Sequence, residues 1–252
     1  MFESLPIDFE WKKGELLSVL PILLAFTSFI SYWFIAQSKK IKDTFYRKYD
    51  SNTASAKHIF FTKYIGFFCM GIIPLFICLH YLEETTLADY GVTFIPETLL
   101  FSISWILGLS VLVIPLAFIS AKKPENLINY PQIRATKWTR KIFYINLLGW
   151  AIYLFGYELL FRGILLFPLV KTIGIWPAIA INIALYSATH IPKGLTETIG
   201  ALPLRLVLCL LTLASGTIWI AFFVHIALAW TNSLTALKYH PEIHYIHWKK
   251  RN

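Results

Sequence analysis

The sequence predicts an all-α protein, a polytopic bundle of transmembrane helices. Its 252 residues are 57% hydrophobic and only 15% charged, whereas soluble globular proteins carry roughly 25% charged residues. The charged residues lie in short islands between long apolar runs, and about 20 apolar residues suffice for a helix to cross a hydrocarbon core of about 30 Å. The composition therefore excludes an ordinary water-soluble enzyme.

Seven apolar runs predict about seven membrane spans. They cover residues 16–36, 64–82, 99–119, 142–170, 173–190, 199–214 and 217–237. We expect the first to be an anchored helix rather than a cleaved signal peptide, because no small-residue cleavage site precedes the lysines that follow it. The three cysteines lie inside apolar runs, which is typical of core residues rather than of a disulfide framework or a zinc site.

The charge islands predict the orientation of the spans. Residues 37–63 hold seven Lys or Arg and two Asp, residues 83–98 hold four acids and no base, and residues 120–141 hold six bases and one acid. Basic loops favour the cytoplasmic side, so we expect the amino terminus outside and the carboxyl terminus inside. The net charge of +9 is then interpreted as a topology signal and as contact with anionic lipid headgroups, not as nucleic-acid binding.

The same pattern suggests four regions. Residues 1–119 form a three-helix membrane region, 120–141 a cytoplasmic loop with two prolines, 142–237 a core of four helices, and 238–252 a basic, aromatic cytoplasmic tail. We interpret the tail as an interfacial anchor against anionic lipid.

Two charged residues stand inside the fourth run. Glu158 and Arg162 would each cost on the order of 2.5 to 3.5 kcal/mol at the centre of a membrane helix, so both should face the bundle interior. Their spacing of four places them on one helix face, where carboxylate and guanidinium can pair. Lys171, Lys193 and Glu197 fit turns between helices, and Arg205 is expected to reach the cytoplasmic face or a lipid headgroup.

Two histidines lie in the following runs. If the chain turns near residues 172–176, Glu158 and His190 are each 16 residues from Gly174 and meet at similar depth, roughly 24 Å from the turn. His225, nine residues after a second expected turn at Gly216, matches that depth less well unless the turn dips into the membrane. We predict a shared, water-accessible cavity. The alternative is that these groups only hold the bundle together.

A stripe of small residues marks the fourth run. Gly149, Gly156 and Gly163 recur every seven residues and would let a neighbouring helix approach closely.

The order of these motifs resembles a known family. The stretch G-Y-E-L-L-F-R-G at residues 156–163, then Y-S-A-T-H at 186–190, then the histidine at 225 after S-G-T-I-W at 215–219 are similar to the signatures of the CAAX-protease and bacteriocin-processing (CPBP, Abi) family of intramembrane endopeptidases. The resemblance covers about residues 142–237. Tyr157 stands where the family has its first glutamate, and Ala229 stands where it has an asparagine.

The resemblance implies roles for the candidate residues. In a catalytic relative, Glu158 and His190 would activate a water, His225 would donate to the oxyanion and Arg162 would position Glu158. The expected substrate-binding residues are Tyr157, Phe161, Tyr186 and Asn232. Asn232 is seven residues past His225, about 10 Å along a helix, too far to contact the same oxygen. No metal and no cofactor are expected, since the spacing is not that of H-E-x-x-H.

Two functions from different classes follow. The first is a membrane-embedded glutamic-type endopeptidase, resembling CAAX prenyl proteases, that cleaves a prenylated or membrane-associated peptide. The second is a non-catalytic relative that binds such a peptide as an immunity, maturation or chaperone factor, which the departures at Tyr157 and Ala229 favour. A small transporter is a further alternative, although the first three apolar runs carry no charge and show no paired repeat. We expect the bacterial cytoplasmic membrane as its location.

Overall fold

Every predicted apolar run contains α-helix in the computed structural model, which describes residues 10, 12–82, 84–190, 199 and 202–247. The helices are α1 Leu16–Ala36, α2 Lys39–Lys48, α3 Ser51–Phe67, α4 Ile73–Tyr81, α5 Leu99–Ser120, α6 Pro124–Asn129, α7 Arg140–Glu158, α8 Phe167–Ile173, α9 Ile175–Ala188, α10 Leu202–Ser215 and α11 Trp219–Tyr239. Two π-helical segments, Phe68–Ile72 and Leu159–Leu166, join α3 to α4 and α7 to α8.

The all-α membrane bundle is confirmed, and the chain is an integral membrane protein. Among the described residues, five helical stretches are long and apolar enough to cross a membrane: Leu16–Ala36, Ser51–Tyr81, Pro96–Ser120, Arg140–Ile173 and Trp219–Tyr239. The fifth and sixth runs hold shorter helices, α9 and α10, of 14 residues each. Lys193 and Glu197, predicted at a turn between them, lie outside the described residues.

The second span begins earlier than the apolar run suggested. The carboxylate of Asp50 accepts hydrogen bonds from the backbone N–H groups of Asn52 and Thr53, which caps the start of α3. Two lysines of the predicted loop therefore lie inside this helix. Lys57 sits over the ring of Tyr49 at 4.0 Å, and Lys63 lies 2.9 Å from the centre of the Trp150 ring. A hydropathy scale counts the charges of Lys57 and Lys63 against a membrane span. It takes no account of the aromatic rings of Tyr49 and Trp150, which stabilise these ammonium groups.

The glycine stripe allows close packing, as predicted. A Cβ on Gly149 would lie 3.4 Å from the Lys63 side chain, and one on Gly156 would lie 2.8 Å from the Cα of Phe67. Both glycines face α3. A Cβ on Gly163 would instead lie 2.7 Å from the carbonyl oxygen of Tyr90, in the loop before α5. The first membrane region thus packs directly on α7 and on the π-helical segment after it.

One end of the bundle gathers the predicted 120–141 loop, the start of α3 and the tail. Strand β1 (Lys137–Trp138) pairs in parallel with β2 (His244–Tyr245). The side-chain oxygen of Asn52 accepts from the backbone N–H of Thr136, and Ser55 accepts from that of Arg134. The tail is therefore folded against the protein as far as residue 247. Residues 248–252, included in the predicted lipid anchor, lie outside the described residues.

The opposite end gathers the acidic loop and the two turns predicted at Gly174 and Gly216. Both glycines have positive φ, 88° and 68°, a conformation that favours glycine. Lys171 pairs with Asp89 at 2.8 Å. This hydrogen bond, together with one from the Thr86 backbone N–H, lowers the pKa of Asp89 to about 2. The predicted alternation of sides is thus consistent with the contacts, while the assignment of one side to the cytoplasm stays a prediction.

Candidate active site

Glu158 lies at the end of α7, immediately before the π-helical segment Leu159–Leu166. π-Helical segments inside α-helices occur frequently at functional sites. The Glu158 carboxylate is completely buried: Oε1 contacts Nδ1 of His225, and Oε2 lies 3.6 Å from Nε of Arg162, which is also fully buried. The predicted pairing of Glu158 with Arg162 is confirmed, and His225 is the imidazole that reaches the carboxylate.

Asn182 supports Arg162 from α9. Its side-chain oxygen accepts from Nη1 of Arg162 at 3.3 Å and from the Cys209 thiol at 3.4 Å. Its side-chain nitrogen donates to the carbonyl oxygen of Phe161, inside the π-helical segment. The sequence analysis missed this residue. The available signal was its spacing, because Asn182 and Tyr186 are four residues apart on one face of α9, and His190 follows four residues later, just past the end of that helix.

Tyr186 is the centre of the cluster. Its hydroxyl lies 3.0 Å from Nε2 of His225, and its ring centre lies 4.6 Å from the guanidinium carbon of Arg162 and 4.4 Å from that of Arg205. Only 1% of Tyr186 is exposed. This residue, predicted to bind substrate, therefore links the arginines to the imidazole.

The expectation for Arg205 was wrong. Its side chain is buried and donates from Nη1 to the Ser187 hydroxyl at 2.7 Å. An arginine near a helix end can reach either the interface or the bundle, and the α9–α10 packing directs this one inward toward Tyr186. Sequence position alone could not distinguish the two directions.

His190 lies on the other side of the network. Its ring is nearly parallel to that of Tyr186, with centres 5.5 Å apart, and its Nδ1 is 2.9 Å from the Thr189 hydroxyl. Thr189 in turn is 2.7 Å from the hydroxyl of Tyr157. The structure thus pairs Glu158 with His225, whereas the sequence analysis expected Glu158 and His190 to share a water. Both histidines contact Tyr186.

The remaining predicted substrate-binding residues are divided. Tyr157 and Phe161 are buried, with ring centres 4.8 Å apart, and both pack against Tyr186. Asn232 is half-buried on α11 and, among the described residues, makes no hydrogen bond to this cluster. Ala229 packs against Trp150, Leu154 and Ile226. The separation of Asn232 from His225 by seven residues of helix was expected, and its role in substrate binding stays a prediction.

The depth of His225 depends on the turn at Gly216. The backbone N–H of Ile218 donates to the carbonyl oxygen of Gly91, and a Cβ on Gly91 would lie 2.6 Å from the Phe167 ring. The turn before α11 therefore lies beside Gly91, which also touches the Phe167 ring. His225 contacts Glu158 directly, so the two side chains lie at the same depth, although their positions in the sequence matched less well.

The cluster reaches the protein surface at its histidines. The side chain of His225 is 19% exposed and His190 is half-buried, while Glu158 and Arg162 have no exposed surface. The residues of the predicted cavity thus form a buried polar cluster that reaches the surface at two imidazoles. Within the described part of the chain, no group of three or more His, Cys, Asp or Glu residues could hold a metal ion.

The comparisons with known proteins agree with the motifs. Residues 138–231 match the family model described as type II CAAX prenyl endopeptidase Rce1-like. Comparisons with curated proteins and with solved structures gave no match. The matched segment runs from β1 into α11 and includes every residue of the cluster around Glu158. The recognition of a CAAX-protease-like core is therefore confirmed over residues 138–231.

Proposed function

We propose that the protein is a membrane-embedded endopeptidase that cleaves a prenylated or otherwise membrane-associated peptide without a metal ion. The observation that carries this proposal is the fully buried Glu158, held between Arg162 and His225 inside an apolar span. Charged side chains within a membrane helix carry a high free-energy cost, so a functional role is the default interpretation of these residues. The family match over residues 138–231 supports peptide hydrolysis as the chemistry.

The cluster contains the groups that hydrolysis requires. A water must lose a proton as it attacks the peptide carbonyl, and the developing oxyanion must be stabilised by hydrogen-bond donors. His225 can exchange protons, and it is partly exposed. His190 and the hydroxyls around it can donate hydrogen bonds. These side chains lie on apolar helices or, for Thr189 and His190, directly after one, which favours a substrate that is itself anchored in the bilayer, such as a prenylated peptide of a bacterial cytoplasmic membrane.

A second function is a non-catalytic relative that binds such a peptide as an immunity, maturation or chaperone factor. Two observations favour it. Tyr157 occupies the position of the family's first glutamate, and its hydroxyl is engaged by Thr189. Ala229 occupies the position of an asparagine and belongs to a cluster of buried apolar side chains. A site with these replacements could retain substrate binding and lose turnover.

A cleavage assay distinguishes the two functions. Purified protein in lipid nanodiscs is mixed with a quenched fluorescent prenylated peptide, in parallel with Glu158→Gln and with the control His80→Gln, whose side chain is exposed on α4. We expect cleavage by the wild type and by the control, and a loss of about 100-fold or more in Glu158→Gln. Binding without turnover by the wild type would support the second function. Equal cleavage in all three proteins would contradict both.

A further inference from the structure

We infer that Thr189 is a positioning residue for His190: its hydroxyl accepts a hydrogen bond from Nδ1, so that the ring lone pair lies on Nε2, where it takes a proton from water. This inference rests on the proposed endopeptidase function and specifies how its base is held. It goes beyond the expectation that Glu158 and His190 activate the water, which gave Thr189 no role and placed Tyr157 among the substrate-binding residues.

The end of α9 fixes the backbone of both residues. The backbone N–H of Thr189 donates to the carbonyl oxygen of Tyr186 at 3.2 Å, and that of His190 donates to the carbonyl oxygen of Ser187 at 2.9 Å. Such hydrogen bonds between residues three apart tighten the last turn of a helix. The Thr189 side chain is therefore held beside the imidazole that follows it, and only 8% of the residue is exposed.

Three polar groups surround the Thr189 hydroxyl. Its oxygen lies 2.7 Å from the carbonyl oxygen of Tyr186, 2.7 Å from the Tyr157 hydroxyl and 2.9 Å from Nδ1 of His190. A hydroxyl has one proton to donate and two lone pairs that accept, whereas a carbonyl oxygen can only accept. The Thr189 proton therefore goes to the Tyr186 carbonyl, and the Tyr157 hydroxyl and Nδ1 of His190 donate to Thr189.

This assignment determines the tautomer of the neutral His190 ring. The nitrogen that donates carries the proton, so Nδ1 is protonated and Nε2 has the lone pair. The ring also lies nearly parallel to that of Tyr186, at 12° with centres 5.5 Å apart, which limits its rotation. His190 itself is half-buried and reaches the protein surface. Its tautomer and orientation are thus set by buried neighbours that need no contact with water.

Tyr157 supports this arrangement in a way that is specific to this chain. The resembling family has a glutamate at this position, and a carboxylate only accepts hydrogen bonds, so it could not donate to Thr189 as the phenol does. The phenol occupies the second lone pair of the Thr189 oxygen, which keeps the Thr189 proton on the Tyr186 carbonyl. Tyr157, which is 4% exposed, therefore acts on His190 through Thr189.

The proposed step balances as follows. Water gives a proton to Nε2 of His190 while its oxygen bonds to the peptide carbonyl carbon, and the carbonyl π electrons move to oxygen. Nδ1 keeps its proton and its hydrogen bond to Thr189. When the carbonyl re-forms, the C–N bond breaks and Nε2 gives its proton to the leaving nitrogen. The products are a carboxylic acid and an amine, and both side chains are restored.

The tautomer of His190 is measurable without substrate. Nitrogen NMR of isotope-labelled histidine distinguishes protonated from unprotonated ring nitrogens, and the signals that disappear in His190→Gln identify this ring. At a pH where the ring is neutral, we expect a protonated Nδ1 in the wild type and in Thr189→Ser. Thr189→Val keeps the shape of the side chain but removes the hydroxyl that selects the tautomer, so the proton should shift toward Nε2. A protonated Nε2 in the wild type, or an unchanged tautomer in Thr189→Val, would overturn the inference.

Turnover of the prenylated peptide is the second readout. We expect Thr189→Val to lower kcat by about 3- to 10-fold, the factor that corresponds to one lost hydrogen bond, with KM changed less than about 2-fold. Thr189→Ser should stay within about 2-fold of the wild type. Equal losses in the Val and Ser variants would show that the hydroxyl is not the cause and would overturn the inference.

The matched control is Thr172→Val. The Thr172 hydroxyl also donates back to carbonyl oxygens of its own helix, those of Pro168 and Leu169 in α8, so its removal measures the cost of losing such a bond away from His190. We expect an unchanged tautomer and kcat, and an equal loss of kcat would count against a specific role of Thr189. Thermal unfolding shows that each variant is folded, and Thr189→Ala replaces Thr189→Val if the latter is not.

The two proposals fail differently. Cleavage by the wild type, together with an unchanged His190 tautomer in Thr189→Val, overturns the role of Thr189 alone. No cleavage by the folded wild type, with any prenylated or membrane-associated peptide tested, overturns the proposed function, and the nitrogen spectra then still decide whether Thr189 sets the tautomer.

Discussion

At the scale of single residues, the site depends on the complete enclosure of two charges. Glu158 and Arg162 are both fully buried and lie within 3.6 Å of each other, and each has a second polar partner, His225 or Asn182. Removing one member of such a pair strands the other, which costs more than the pair contributes. The enclosure fixes the direction of the imidazole and the guanidinium.

A glycine two residues before Glu158 determines how closely α3 approaches the site. A Cβ at Gly156 would lie 2.8 Å from the Cα and 3.0 Å from the carbonyl oxygen of Phe67, and backbone atoms cannot move aside as a side chain can. We expect Gly156→Ala to lower the free energy of unfolding by about 1–3 kcal/mol. Denaturant unfolding in detergent micelles measures this difference.

The matched control is Gly108→Ala on α5, where a Cβ would meet nothing within 4 Å. Alanine has the higher helix propensity, so this variant should be as stable as the wild type or more stable by up to about 1 kcal/mol. Equal destabilisation of both variants would show that close packing at Gly156 is not the cause.

At the scale of elements, α2 has two chemically different faces. Ile41 and Phe45 are half-buried, and Phe45 packs against His58 and Phe61 with ring centres 5.7 and 5.6 Å away. Five basic residues of α2 are exposed: Lys39, Lys40, Lys42, Arg47 and Lys48. Because α2 connects two membrane spans, its basic face lies near a bilayer surface, where it suits anionic lipid headgroups.

We therefore expect charge reversal on α2 to weaken the binding of anionic lipid. Each basic residue near the membrane surface contributes about 1 kcal/mol, so Lys40→Glu combined with Arg47→Glu should lower the affinity for phosphatidylglycerol about tenfold or more. Native mass spectrometry of the lipid-bound protein measures this affinity, and Thr44→Ala on the same helix is the control. An equal loss of phosphatidylcholine in the charge-reversed protein would contradict an electrostatic site.

At the scale of the whole molecule, each end of the bundle is tied together across distant parts of the chain. Strand β1 pairs with β2 at one end, and Lys171 pairs with Asp89 at the other. These contacts put the basic islands at one end and the acidic loop at the other, as alternating spans require. The positive-inside rule then assigns the basic end to the cytoplasm.

Cysteine labelling tests that orientation. Lys123 and Glu97 are exposed at opposite ends of α5, so Lys123→Cys should react with a membrane-impermeant maleimide in inside-out vesicles and Glu97→Cys in right-side-out vesicles. The unsubstituted protein is the control, because its cysteines are buried or half-buried. The reverse pattern of labelling would contradict the predicted topology.

Much of this architecture follows from the sequence itself. Long apolar runs leave a chain few alternatives to membrane helices, glycines mark the turns at Gly174 and Gly216, and the four-residue spacing of Glu158 and Arg162 places them on one face. Motif order was sufficient to recognise the CAAX-protease-like core. These features are local, since each depends on the period of one helix or on the conformation of one residue.

Only the tertiary structure decided which groups meet. The packing of α11 beside α7 brings His225 to Glu158, whereas the sequence had matched the depth of Glu158 to that of His190. The direction of Arg205 and the contacts of Asn182 depend on how α9 and α10 pack. Helical periodicity fixes the face on which a side chain lies but not the depth or the rotation of a neighbouring helix. The partners of a buried charge are set by those two quantities, and they are determined only when all the helices pack together.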